Sequence, residues 1–97
     1  MAFYVNITKI SELNDQKALY QVKSFDYFFF IEIDINNKKV ELKKNDNTDV
    51  PCVIDFNEID KEIKVDWLSG KLIHIVIMKA RQVIVSKTFF DDISFYA

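Results

Sequence analysis

Apolar and polar side chains alternate with a period of two from Phe29 to Ile35, with Phe29, Ile31, Ile33 and Ile35 on one side and Phe30, Glu32 and Asp34 on the other. This is the pattern of a strand with one buried face. Asn36 and Asn37 interrupt it and Val40 and Leu42 resume it, so FDYFFFIEIDINNKKVEL, residues 25–42, reads as a β-hairpin. Asn tolerates the left-handed backbone that tight hairpin turns require. The expected register sets Ile35 opposite Val40, Ile33 opposite Leu42, Glu32 opposite Lys43 and Asp34 opposite Glu41. Two facing carboxylates repel, so either the register differs slightly or that face meets something basic.

The same alternation of Phe3, Val5 and Ile7 predicts a strand over about 2–10, and Asn14 and Asp15 in the polar stretch SELNDQK predict a turn. A second strand over 18–23 places Ala18, Tyr20 and Val22 opposite in face to Leu19, Gln21 and Lys23. With strands over 27–35 and 39–43 and only short connections between them, the first half reads as an antiparallel four-stranded meander. Such a sheet needs a cover for its apolar face. Residues 71–87 supply one: at helical spacing Lys71, His74, Lys79, Arg81, Gln82 and Ser86 share an arc of roughly 160°. Leu72, Ile73, Val76, Ile77, Ala80, Val83 and Ile84 lie opposite, while Ile75, Met78 and Val85 break the pattern.

The β-branched content of this segment makes a hairpin the alternative. It would have to turn at KARQ, which lacks Gly, Asn, Asp and Pro, whereas Ser69 can cap a helix and Lys79, Arg81 and Lys87 lie toward its negative end. The reading taken is a helix over about 70–86. The tail TFFDDISFYA is expected to cross back over the core with Phe89, Phe90, Ile93 and Phe95. Residues 43–51 are loop by composition, and CVID after Pro51 can at best start an edge strand. In FNEIDKEIKVDW, Ile59, Ile63 and Trp67 fit a short helix capped by Asn57, while Ile63, Val65 and Trp67 also alternate as in a strand. The expected class is α+β, one domain over residues 1–97.

Composition narrows the function. A chain of 97 residues buries about 60 to 65% of its unfolded surface, enough for one modest core. One Gly and one Pro argue for a few longer elements rather than many tight turns. One Cys excludes an internal disulfide, and one Cys with one His leaves no familiar metal set, which fits a reducing compartment. No basic segment followed by an apolar run opens the chain, and no apolar run reaches the ~18 residues of a membrane span. A cytoplasmic protein without catalytic residues, cofactor or membrane contact is therefore expected. His74 reads as a surface or boundary imidazole, Cys52 as a small core residue, and Asp91 and Asp92 as cap or turn residues.

Charge is unevenly spread on a chain of net charge −2. Residues 46–66 hold seven acids (Asp46, Asp49, Asp55, Glu58, Asp60, Glu62 and Asp66) against Lys61 and Lys64, a local net of −5 that leaves +3 elsewhere. An acidic band on a slightly basic body suits a cationic partner, although a solvated loop and helix face would look the same. A second candidate is Lys38, Lys39, Lys43 and Lys44 around Tyr27, Phe28 and Phe29, because aromatics on a basic-rimmed sheet can stack single-stranded nucleic acid. Core aromatics with hairpin-tip lysines explain that pattern equally well. A pI of 5.3 further disfavours direct nucleic-acid binding.

The opening FYVNITKI, the hairpin IEIDINNKKVEL and the closing KARQVIVSKTFFDDISFYA resemble, in layout, the small immunity proteins of bacterial contact-dependent growth inhibition and related polymorphic toxin systems. Ser86 and Phe90 stand where that pattern would carry Gly and Pro. The resemblance implies one-to-one binding to the C-terminal toxin domain of a cell-surface effector, neutralising it. Many such toxins are basic nucleases, some acting on transfer RNA. The residues this implies are Asp46, Asp49, Asp55, Glu58, Asp60, Glu62 and Asp66, with Trp67 as either an aromatic anchor or a core residue.

Overall fold

A computed structural model describes residues 4–44, 52–58 and 70–96. Its strands are β1 (Tyr4–Glu12), β2 (Lys17–Ser24), β3 (Tyr27–Asp34), β4 (Lys39–Lys44), β5 (Cys52–Asp55) and β6 (Phe95–Tyr96). They form one antiparallel sheet in the order β5-β4-β3-β2-β1-β6. A 3-10 turn (Phe56–Glu58) follows β5, and helix α1 (Gly70–Ser86) lies between β5 and β6 in the chain. The α+β class is as expected, and helix rather than hairpin forms over 71–86.

The sheet has six strands, not four. CVID joins β4 as the edge strand β5, pairing Ile54 with Val40. The tail does not cross the core; it runs along the outer edge of β1, whose backbone groups need partners. Ile93 N–H donates to the Ile7 carbonyl (2.9 Å), Lys9 N–H to the Asp91 carbonyl (2.8 Å), and Ile7 N–H to Ser94 Oγ (2.9 Å). Ile93 is buried, Phe89 and Phe95 pack partly on the core, and Phe90 is exposed. The helix expected within FNEIDKEIKVDW falls mostly outside the described residues. Asn57 itself lies inside the 3-10 turn.

Strands β1 to β5 contribute alternate side chains to one face: Val5 and Ile7; Ala18, Tyr20 and Val22; Phe29, Ile31 and Ile33; Val40 and Leu42; Ile54. Helix α1 covers that face with Leu72, Ile73, Ile75, Val76, Ala80, Val83 and Ile84, packing on β1 and β3. Burying a side chain of this size stabilises by about 1.5 to 3 kcal/mol, so this layer dominates folding. Ile75, which breaks the expected arc, is buried, whereas Met78 and Val85 face outward. Tyr20 brings a polar tip into the core; its hydroxyl donates to the Phe90 carbonyl at 2.7 Å, tying the tail to β2. Burial pushes that phenol up to about 12.

The β3–β4 register differs from expectation by two residues: Ile33 pairs with Val40, Ile31 with Leu42, and Asp34 with Lys39. The cause is Asp34. Its Oδ1 accepts Asn36 N–H (3.1 Å) and Asn37 N–H (3.0 Å), and its Oδ2 accepts Asn37 Nδ2 (2.8 Å), so the turn begins at Ile35 and withdraws it from the ladder. Burial alone would raise the Asp34 pKa, but the hydrogen bonds from Asn37 and Asn36, with Lys17 nearby, outweigh it and hold the carboxyl below its usual range. An even slip leaves every side chain on its expected face.

Turns form despite the shortage of glycine. Phe25 (φ 51°), Lys38 (φ 55°) and Lys87 (φ 55°) take left-handed backbone, each at a cost of about 1 to 2 kcal/mol for a residue with a Cβ. At Phe25 local contacts offset it: the ring lies 4.9 Å from that of Tyr4, and Phe25 N–H donates to the Tyr4 hydroxyl (3.3 Å). The Asn14 turn is as expected, with Oδ1 accepting the N–H groups of Gln16 (2.9 Å) and Lys17 (3.0 Å).

Candidate functional site

Because α1 takes one face, the other positions of each strand line a second face that no described element covers. The ladder registers order it in rows. Asn6, Lys23 and Phe28 form one, Thr8, Gln21, Phe30 and Lys43 the next, and Leu19, Glu32, Glu41 and Val53 a third. Phe28 and Phe30, two residues apart on β3, meet edge to face with centroids 5.4 Å apart and planes at 84°. Phe28, on the central strand β3, is 38% exposed, and Val53, on the edge strand β5, is 54% exposed.

Between these apolar groups sit two acids. Glu32 and Glu41 are direct cross-strand partners, so the facing carboxylates expected at Asp34 and Glu41 reappear one pair along the ladder. Like charges in that position destabilise a sheet. Lys43 Nζ lies 3.7 Å from Glu32 Oε1 and compensates one of the pair. The arrangement therefore offers an aromatic and apolar surface with a carboxylate pair that a further cation would stabilise.

The expected site residues fare differently. Asp55 ends β5 opposite Lys39, and its Oδ1 accepts Asn57 N–H (2.9 Å) and Asn57 Nδ2 (3.0 Å), which holds the 3-10 turn in place. Glu58 closes that turn. Asp46, Asp49, Asp60, Glu62, Asp66 and Trp67 lie outside the described residues. Of the basic hairpin, Lys38 and Lys39 are exposed, Lys43 pairs with Glu32, and Lys44 ends β4. Its aromatics divide: Phe29 is wholly buried, Tyr27 packs partly on the core, and Phe28 stands on the uncovered face. The aromatic that completes the surface, Phe30, is not among the expected site residues, although the alternation sets it on the side of Glu32.

Of the other candidates, the two adjacent aspartates have structural work. His74 is exposed on α1. Asp91 Oδ1 pairs with Lys9 Nζ at 3.0 Å. The Ser94 hydroxyl, and after it the Ser94 N–H that donates to Asp92 Oδ1 at 2.8 Å, hold the Asp92 carboxyl below its usual range. Cys52 starts β5. Among the described residues no three His, Cys, Asp or Glu side chains group as metal ligands, and no helix is long and apolar enough to cross a membrane. Compared with family models, with curated proteins and with solved structures, the chain finds no match.

Proposed function

We propose that this chain is a binding protein that neutralises a basic partner by covering it, in the manner of a cytoplasmic immunity protein acting on a cognate toxin domain, one to one. The observation that carries the reading is the uncovered sheet face, where Glu32 faces Glu41 beside the exposed Phe28, the half-buried Phe30 against it and the exposed Val53. Aromatic groups that become fully buried supply most of the energy of protein interfaces, and complementary charge sets partner choice and encounter rate. An arginine or lysine of the partner placed between the two glutamates would relieve their repulsion. The acidic stretch 46–66, net −5, favours the same kind of partner. Both features suit a nuclease surface, which is basic because its substrate is an anion.

Single-stranded nucleic acid is the second reading, favoured by Lys23 opposite Phe28 and Lys43 opposite Phe30. The adjacent Glu32 and Glu41 would repel a phosphate backbone, which is why the protein partner is preferred. The test is coexpression with the C-terminal domain encoded by the gene immediately upstream, followed by calorimetry on the purified pair. Rescue of growth with tight one-to-one binding supports immunity. Absence of both, with salt-sensitive binding of single-stranded RNA instead, overturns it.

A further inference from the structure

A cavity of about 370 Å³ lies away from the uncovered sheet face, where the 3-10 turn, the β3–β4 turn and the last turns of α1 meet. It is lined by Lys38, Phe56, Arg81, Ile84, Val85 and Lys87, so three cations and three apolar side chains share it. The chain builds this junction deliberately: Phe56 N–H donates to the Lys38 carbonyl at 2.9 Å, and Asn57 Nδ2 donates to the Asn37 carbonyl at 3.2 Å. The Arg81 guanidinium stands 5.7 Å from the centroid of the half-buried Phe56 ring. No acidic side chain is among the described lining residues.

Backbone strain points to the same place. Lys38 and Lys87 are two of the three described non-glycine residues with left-handed φ, and both line this cavity. Glycine would hold either position more cheaply, and Asn37 beside Lys38 would tolerate left-handed backbone better than lysine does. Phe25, the third, is exposed like the two lysines, but its contacts with Tyr4 stabilise it. Non-glycine strain of this kind clusters where a ligand is held. The carbonyl end of α1 carries about half a negative charge and opposes an anion here. Ser86 Oγ and Thr88 Oγ1 already donate to the Val83 and Ser86 carbonyls, and three full positive charges outweigh what remains.

We infer that this cavity binds a small phosphate monoester carrying a flat or apolar group, with the phosphate among Lys38, Arg81 and Lys87 and the ring against Phe56, Ile84 and Val85. Its size lies in the range of small-molecule sites, and three cations match a doubly charged phosphate better than a lone carboxylate. The proposal is independent of the partner-binding reading and uses none of its residues.

The experiment is an NMR titration of the full chain with adenosine 5′-monophosphate, alongside adenosine and inorganic phosphate as separate probes. Saturable shifts are expected at Lys38, Phe56, Arg81 and Lys87, with adenosine and phosphate each binding at least about tenfold more weakly. Lys38→Gly and Lys87→Gly remove a cation while relaxing the backbone, so each should weaken the monophosphate about tenfold without lowering the melting temperature. Phe28→Ala should leave the titration unchanged. Absence of saturable shifts at these four residues, adenosine binding as tightly as the monophosphate, or undiminished affinity in both glycine variants would overturn the assignment.

Discussion

Phe28 and Phe29 are neighbours in the chain and opposites in the fold. Phe29 is 0% exposed beneath α1, while Phe28, one peptide along, stands on the uncovered face against Phe30. The covered face is built of aliphatic and aromatic groups, with Tyr20 finding a hydrogen-bond partner for its hydroxyl. The uncovered face mixes aromatics with Glu32, Glu41 and Lys43, including a like-charge pairing that folding alone would not favour. One side of the sheet is thus composed for stability and the other at some expense to it. That difference is the physical basis for reading the second side as a binding surface.

The largest expected contrast is between the two phenylalanines. Phe29→Ala should cost about 3 to 5 kcal/mol in denaturant unfolding, whereas Phe28→Ala should cost under about 1 kcal/mol. Equal costs would mean that the uncovered face is packed after all. Next comes the β3–β4 turn: Asp34→Ala strips hydrogen bonds from Asn36 and Asn37 and should cost about 1 to 3 kcal/mol. Because the folded Asp34 pKa is depressed, its contribution is present above the unfolded value near 3.8 and is lost as pH falls through the folded one. An acid titration of stability should therefore fall less steeply below about pH 4 in Asp34→Asn than in the native chain.

Tyr20→Phe should cost about 0.5 to 1.5 kcal/mol by removing the bond to the Phe90 carbonyl. Here the sign reverses. The folded phenol is raised from 10.0 to about 12, so its contribution is complete below pH 10 and is lost between there and pH 12, a loss absent from the Phe variant. The smallest stability effect belongs to the uncovered face: Glu41→Gln relieves repulsion from Glu32 and should stabilise by about 0.2 to 0.5 kcal/mol.

Periodicity made much of this fold legible. Alternation located β1 to β4 and their buried faces, and the poor turn chemistry of KARQ correctly favoured a helix over 71–86. Register was less legible because two Asn residues mark a turn without saying where it begins; that was decided by the Asp34 side chain. Strands β5 and β6 are four and two residues long, too short for a period of two to establish, and the tail's place depends on the open edge of β1 rather than on its own letters. For the site, the alternation places Phe30 and Glu32 on one side of the strand, but Phe28 is grouped with Tyr27 and Phe29 rather than with them, and the cross-strand neighbours Lys23, Lys43 and Glu41 come only from the observed register. The junction of Lys38, Phe56, Arg81 and Lys87 joins segments far apart in the chain and has no local signature.

The central claim is that the uncovered face is the surface that meets a basic partner. Its most direct test is calorimetry with the C-terminal domain encoded by the gene immediately upstream, the proposed partner, comparing the native chain with the double variant Glu32→Lys, Glu41→Lys and checking both by thermal melting. The expected result is tight one-to-one binding by the native chain and at least a roughly hundredfold loss in a double variant that still folds. Undiminished binding by the folded double variant would contradict it, and would move the interface elsewhere.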